Sequence, residues 1–234
     1  MSVLAGRTPS GQSVRMLVPS LSPLMDACAE VGYHPDLELR SARLAPQSLA
    51  LELHVLHGSG RLHSRWELRC WGVVEYQVPF GIVESPRIED DHPLLIEHRE
   101  PHAELFFSGP VSDPVQVVGA LAIAHHRVFG RWRAFSSYLN PAMAISEVLS
   151  HPRGTIGRGP VSALRAYGVA LNSLGISTSI LNERPAVHWE ESLQWRPTPE
   201  GIFIMTFGED PMDRPDDPFV IAQGFSATRL ADDK

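Results

Sequence analysis

Lysine is all but absent from this 234-residue chain: Lys234 is the only one, so arginine supplies the other 19 of its 20 basic residues. Without an internal lysine there is no Walker-type phosphate loop, no Schiff-base lysine and no kinase-type catalytic lysine. Cysteine is nearly as scarce. Cys28 and Cys70 fall on a predicted helix and on the inward side of a predicted strand, where both read as small buried hydrophobes and not as a disulfide framework. No apolar run approaches the roughly 20 residues that span a bilayer, and residues 1–20 lack the continuous apolar stretch of a secretory signal. The expected compartment is therefore the cytoplasm, with no membrane partner. HExxH, GxSxG and a GxGxxG loop after a strand are all missing. Scarce lysine beside abundant arginine, proline and glycine matches a GC-rich bacterial coding sequence.

What is present is a chain that is 43% hydrophobic, enough to bury a substantial core. Its net charge of -7 and pI of about 5.9 argue against general binding to nucleic acid. The charge is segregated. Arg127, Arg131, Arg133, Arg153, Arg158 and Arg165 are opposed only by Glu147, whereas Glu84–Glu104 and Glu190–Asp233 are acidic.

The longest single-parity apolar file lies in RWELRCWGVVEYQV, Arg65 to Val78. Trp66, Leu68, Cys70, Val74, Tyr76 and Val78 share even positions with Gly72, while Arg65, Glu67, Arg69, Trp71, Glu75 and Gln77 take odd ones. That pattern predicts a half-buried strand bent at Gly72. Leu49, Leu51, Leu53 and Val55 predict its hairpin partner across a turn at 57–60, and Leu37 and Leu39 start another strand. Helices are predicted from Ser22-Pro23 to Gly32, from Asp113-Pro114 to Gly130, from Asn140-Pro141, and from Gly159-Pro160 to Gly175. Further strands are expected at 94–98, at 104–107, and along Val187, Trp189, Leu193 and Trp195 with GIFIMTF as hairpin partner; a final strand runs from Phe219 to Phe225. Residues 1–20 read as a loose N-terminal arm and 21–234 as one α+β domain, with strands over about 36–108, helices over about 113–175 and strands again over about 176–229. The expected architecture is an antiparallel β-sheet of N- and C-terminal strands under a layer of about three helices.

Three groups of residues could carry chemistry. Imidazoles and carboxylates gather at Glu89, Asp90, Asp91, His92, Glu97, His98, His102 and Glu104, and Asp91, His92, His98 and His102 are the candidate ligands for Zn²⁺ or another divalent ion. Their spacing matches no standard signature, and Asp-His-Pro equally makes a capped turn. His125 sits on the apolar stripe of its helix, as a hydrogen-bonded core histidine would, while Arg127, Arg131, Trp132 and Arg133 form a candidate patch for an acidic partner. Gly154–Pro160 precedes a helix and could place an anion at its N-terminus with Arg153 and Arg158, although no strand is predicted before it and a plain connection explains it too. On the strand at Arg65–Val78, Glu67, Arg69 and Trp71 are the candidate partner-binding face, unless a helix covers Trp71.

The segments DLELRSARLAPQSLALELHV and RWELRCWGVVEYQV, within residues 36–78, together resemble the β-sheet module of small bacterial immunity-type proteins from polymorphic toxin systems. The resemblance implies a protein that binds and blocks a cognate toxin without being an enzyme, and it transfers no functional residues. The leading expectation is thus a non-enzymatic protein-binding module, immunity-like or an adaptor, with no cofactor. The alternatives are a metal-assisted hydrolase using the 89–104 cluster and a structural subunit of a larger assembly.

Overall fold

Apolar alternation in the first strands and proline-capped helices in the middle define most of the elements. The protein was analysed as a computed structural model that describes residues 21–32, 36–46, 48–78, 81–139, 142–190, 194–207 and 218–231. The predicted N-terminal arm, the helix start at Asn140-Pro141 and the acidic stretch at 209–217 lie outside these residues. In chain order, α1 (Ser22–Val31) leads to β1 (Asp36–Ala45), β2 (Ser48–Leu56), β3 (Leu62–Trp71), β4 (Glu75–Gln77), β5 (Gly81–Val83) and β6 (Pro86–Glu89). Then come α2 (Pro93–Arg99), β7 (His102–Ser108), α3 (Pro114–Phe129), a short 3-10 turn (Phe135–Ser137), α4 (Ala142–Leu149), β8 (Arg153–Pro160), α5 (Val161–Asn172) and β9 (Ser177–Arg184). The remaining strands are β10 (Val187–Glu190), β11 (Gln194–Pro197), β12 (Phe203–Phe207), β13 (Phe219–Ala222) and β14 (Gly224–Arg229).

The fold is α+β, and every strand pairing among the described residues is antiparallel. The strands form a sheet of order β14-β3-β2-β1-β5, a second of order β4-β13-β12-β6, a third of order β8-β7-β9, and the hairpin β10–β11. Parity predicted the first sheet correctly: Leu49, Leu51, Leu53 and Val55 of β2 and Trp66, Leu68 and Cys70 of β3 are buried. Leu24, Ala27 and Cys28 of α1 pack in the same core. In β1 a bulge between Leu39 and Ser41 shifts the register, which ends the parity of Leu37 and Leu39.

Gly72, at φ +62°, is the corner at which the chain passes from β3 in the first sheet to β4 in the second. Its partner ribbon turns at Gln223, between β13 and β14, and the ladder continues through the corner: Gln223 N–H donates to the Trp71 carbonyl at 3.0 Å and Val74 N–H to the Ile221 carbonyl at 2.9 Å. Gly224 is required there for space, since a Cβ on it would overlap the Trp71 indole. The central strands of the second sheet, β12 and β13, are buried on both sides. Met205, Phe207, Val220 and Ala222 join the first core, while Ile204, Phe219 and Ile221 pack with Leu94 and Leu95 of α2. Strands covered on both faces read as continuous apolar runs, as IFIMTF and FVIA do.

The third sheet has its own core with α3, α4 and α5, including Leu105, Phe107, Leu121, Phe129, Leu164 and Tyr167. Asp113 caps α3, its carboxylate accepting from the Val115 and Gln116 amides at 3.0 and 3.1 Å.

Three expectations are corrected. Residues 94–98 are helical: His92 accepts from the Leu94 amide, Pro93 fills the first turn, and buried Leu94, Leu95 and His98 follow helical spacing. Residues 154–160 belong to strand β8, which interrupts the helical layer and runs directly into α5; Gly157 and Gly159 serve close packing against Tyr138, where a Cβ would clash. Trp189 and Trp195 lie opposite one another in the hairpin β10–β11, and β12 pairs with β13 and β6 instead. Opposed positions in that hairpin have equal parity, so shared parity did not separate one strand from two.

Replacing Gly224 with alanine forces the Trp71 indole off the corner, and overpacking of this kind costs about 1–3 kcal/mol. Urea unfolding of Gly224→Ala should show a lowered midpoint at unchanged slope.

Candidate functional site

The predicted histidine cluster does not converge. His92 is the N-cap of α2, with Nδ1 accepting from the Leu94 amide at 3.2 Å and its ring edge-on to Trp132 at 4.5 Å. Burial pushes its pKa down to about 4, against the opposing pull of the Asp91 charge, so it is neutral at pH 7. Asp91 is exposed. His102 Nε2 bonds the Glu97 carbonyl at 2.7 Å, donating because a carbonyl only accepts.

His98 alone of the four reaches a site, and that site gathers residues from four parts of the chain. Glu75 arrives on β4 because the corner at Gly72 redirects the strand, Glu97 and His98 come from α2, Arg133 from the segment after α3, and Tyr138 follows the 3-10 turn. Arg133 grips Glu75 through both terminal nitrogens, at 2.8 and 2.5 Å, and its Nη2 is also 2.8 Å from Glu97 Oε2. That is the bidentate geometry a planar guanidinium favours. His98 Nε2 lies 2.8 Å from Glu75 Oε2, and the Tyr138 hydroxyl donates to Glu97 Oε2 at 2.7 Å. Behind them, His125 Nε2–H donates to the Arg133 carbonyl at 2.8 Å, which leaves Nδ1 to accept from the Tyr167 hydroxyl at 2.8 Å. Burial lowers the His125 pKa, in accord with this neutral tautomer, so the expected core histidine is also a positioning group for Arg133.

The electrostatics are those of carboxylates engaged by the chain's own donors. Burial works against ionisation of Glu75, but hydrogen bonds from His98 and Arg133 and the guanidinium charge outweigh it and hold the carboxyl down at about 2. The Tyr138 hydroxyl is pushed well above its ordinary value, first by burial and then by the Glu97 charge. Ligand atoms of Glu75, Glu97 and His98 lie within 4.8 Å of one another, a spacing a metal ion could bridge. Arg133 already spans both carboxylates, however, and His98 Nδ1 has no hydrogen-bond partner, whereas a ligating histidine normally donates through its second nitrogen. This donor set fits an internal guanidinium better than a metal.

The basic patch is divided. Arg127 and Arg131 are exposed, Trp132 packs on His92 and Phe219, and Arg133 turns inward. At the start of α5 the Ser162 amide is taken by Glu100 at 2.8 Å and Arg158 pairs with Glu104 at 2.9 Å, so the chain's own carboxylates serve the proposed anion site. On the first sheet, Glu67 binds Arg43 at 3.0 Å and Arg69 at 2.7 Å, and Glu52 binds Arg65 at 3.2 Å and His54 at 3.1 Å. Trp71 lies half-buried over Gly224. Cys28 and Cys70 are free and buried, and burial pushes their thiols up to about 11 and about 12. Glu75 and Tyr138 were missed among the candidates: the first had the parity of a solvent-facing residue, and nothing near the second marks it.

Among the described residues no helix is long and apolar enough to cross a membrane. No protein-family model, curated protein or solved structure matches the chain.

The depressed Glu75 carboxyl contributes stability at all pH values above the ordinary 4.5 and loses it as pH falls through about 2. Chemical denaturation between pH 6 and pH 2 should therefore show stability falling with acid, and Glu75→Gln should flatten that slope while lowering stability at pH 7 by about 2–4 kcal/mol.

Proposed function

We propose that the chain is a non-enzymatic protein-binding module of the bacterial cytoplasm, of the immunity or adaptor type, which engages its partner through the outer face of the first sheet. The observation that carries this reading is Trp71, half-exposed on a face where Ser48, Ala50, Glu52 and His54 of β2 and Arg65, Glu67 and Arg69 of β3 are all unburied. Tryptophan and arginine are the side chains that most often dominate binding energy at protein interfaces. Arg43, Arg65 and Arg69 are held in place by Glu52 and Glu67, which lowers the entropy lost when a partner orders them. The resemblance of residues 36–78 to immunity-type sheet modules supports the same reading, since those residues form β1 to β4. The polar centre around Arg133 supports it indirectly, because its carboxylates are engaged by the chain's own donors.

The test is crosslinking in the cells of origin, with Trp71→Ala and Arg69→Glu beside the wild type. Truncating a tryptophan anchor costs about 2 kcal/mol or more, so the partner's yield should fall at least about tenfold in Trp71→Ala. Undiminished yield in both variants, or no partner at all, overturns the reading.

Metal-assisted hydrolysis is a second reading, favoured by the convergence of Glu75, Glu97 and His98. Calorimetric titration with Zn²⁺ and Mn²⁺ decides it. The grip of Arg133 predicts no stoichiometric heat in the wild type, and tight one-to-one binding would reverse the ranking.

A further inference from the structure

Charge is not spread evenly over the outer face of the first sheet, and the strand register shows where the excess lies. Ser48 and Gly224 flank Trp71 in one cross-strand row, Ala50 lies between Arg43 and Arg69 in the next, and Glu52 lies between Ser41 and Glu67 in the third. Acidic residues begin at the third row. The first two rows hold none, and apart from Trp71 and the two arginines their side chains are small.

Arg43 and Arg69 stand two strands apart, roughly 10 Å at the backbone, and converge on one carboxylate. Arg43 Nη2 is 3.0 Å from Glu67 Oε2, and Arg69 Nη2 is 2.7 Å from Glu67 Oε1. Two guanidiniums on one carboxylate leave one positive charge unmatched. Among the described residues Glu67 is the only acid that either arginine reaches, and each guanidinium keeps further N–H donors. The excess is open to solvent: the Arg43 and Arg69 side chains are 72% and 62% exposed, against 20% for Glu67. The patch at 127–133, by contrast, loses Arg133 to Glu75 and Glu97.

We infer that the protein partner engaged by this face presents an isolated carboxylate, an aspartate or glutamate side chain beside an apolar residue. This rests on the partner-binding reading of the first sheet and names the chemistry of that partner. The carboxylate seats over Ala50, between the two guanidiniums, and its apolar neighbour packs on Trp71 in the adjoining row. A planar guanidinium fork matches a carboxylate, and charge-assisted bonds of this kind are shorter and stronger than neutral ones. Glu67 holds both forks beforehand, so less freedom is lost on binding. A phosphate chain fits this face less well. It needs a run of cations, and here one unmatched charge lies beside the row that holds Glu52 and Glu67.

The test is an NMR titration of the isotope-labelled full chain with the end-blocked peptide Ser-Gly-Leu-Glu-Leu-Gly-Ser and with its glutamine analogue. The glutamate peptide should shift the Ala50 amide and Trp71 indole signals saturably and bind at least about tenfold tighter than the analogue. Combining Arg43→Gln with Arg69→Gln should abolish that preference. Arg40→Gln, the same charge change at a 54% exposed arginine paired with Glu38, should keep it. All three arginines are exposed, so the variants leave folding intact. Equal binding of the two peptides, a preference that survives the double variant, or tighter binding of an oligothymidylate of equal length overturns the inference. Crosslinking in cells separates this from the reading beneath it. A partner lost in Trp71→Ala but retained in the double variant overturns the carboxylate seat and leaves the partner-binding face standing. If no partner is found, that face falls as a physiological interface, and the peptide titration still decides the chemistry of the seat.

Discussion

A single guanidinium lying between two carboxylates holds the parts of this protein in register. Arg133 binds Glu75 of the second sheet and Glu97 of α2, and its carbonyl is fixed by His125 of α3. Tyr138, which donates to the same Glu97, stacks on Phe129 at 4.7 Å and passes its carbonyl to the Arg158 amide of the third sheet. The apolar cores on either side specify what is buried but not the angle at which the sheets meet. A bidentate ion pair with its donors fixed from behind specifies one arrangement. Its net contribution to stability is reduced by the desolvation of three charges, so orientation is its main product.

That network bears on function because its carboxylates are already engaged. Glu75, Glu97, His98, Arg133 and Tyr138 are bound to one another, while Trp71 lies half-exposed on the first sheet. The face around Trp71 is rich in paired charges.

The amphipathic strands were legible because period-two burial leaves a direct trace: Leu49 to Val55 and Trp66 to Cys70 are buried as their parity demands. Proline and aspartate at 113–114 marked α3 because capping is local chemistry. The site was mostly illegible for the opposite reason. Glu75 and Arg133 are 58 residues apart, and only the corner at Gly72 turns Glu75 toward a partner that its parity placed in solvent. Helix α2 was misread as a strand because seven residues give too short a window for period to decide, and the deciding contact, His92 to the Leu94 amide, is a single hydrogen bond. Strand β8 was misread because its glycines, which look like a loop, are there to admit Tyr138.

The corner ribbon also orders the events of biosynthesis. Strands β7 to β9 and their helices are contiguous in the chain, so that unit has all its pairing partners once Arg184 has emerged from the ribosome. The first two sheets are different. β3 waits for β14 and β4 waits for β13, strands that are translated about 150 residues later, and until then the apolar flanks of a half-finished sheet are uncovered. The nascent protein thus has a built-in interval of vulnerability that ends only when its last strands arrive.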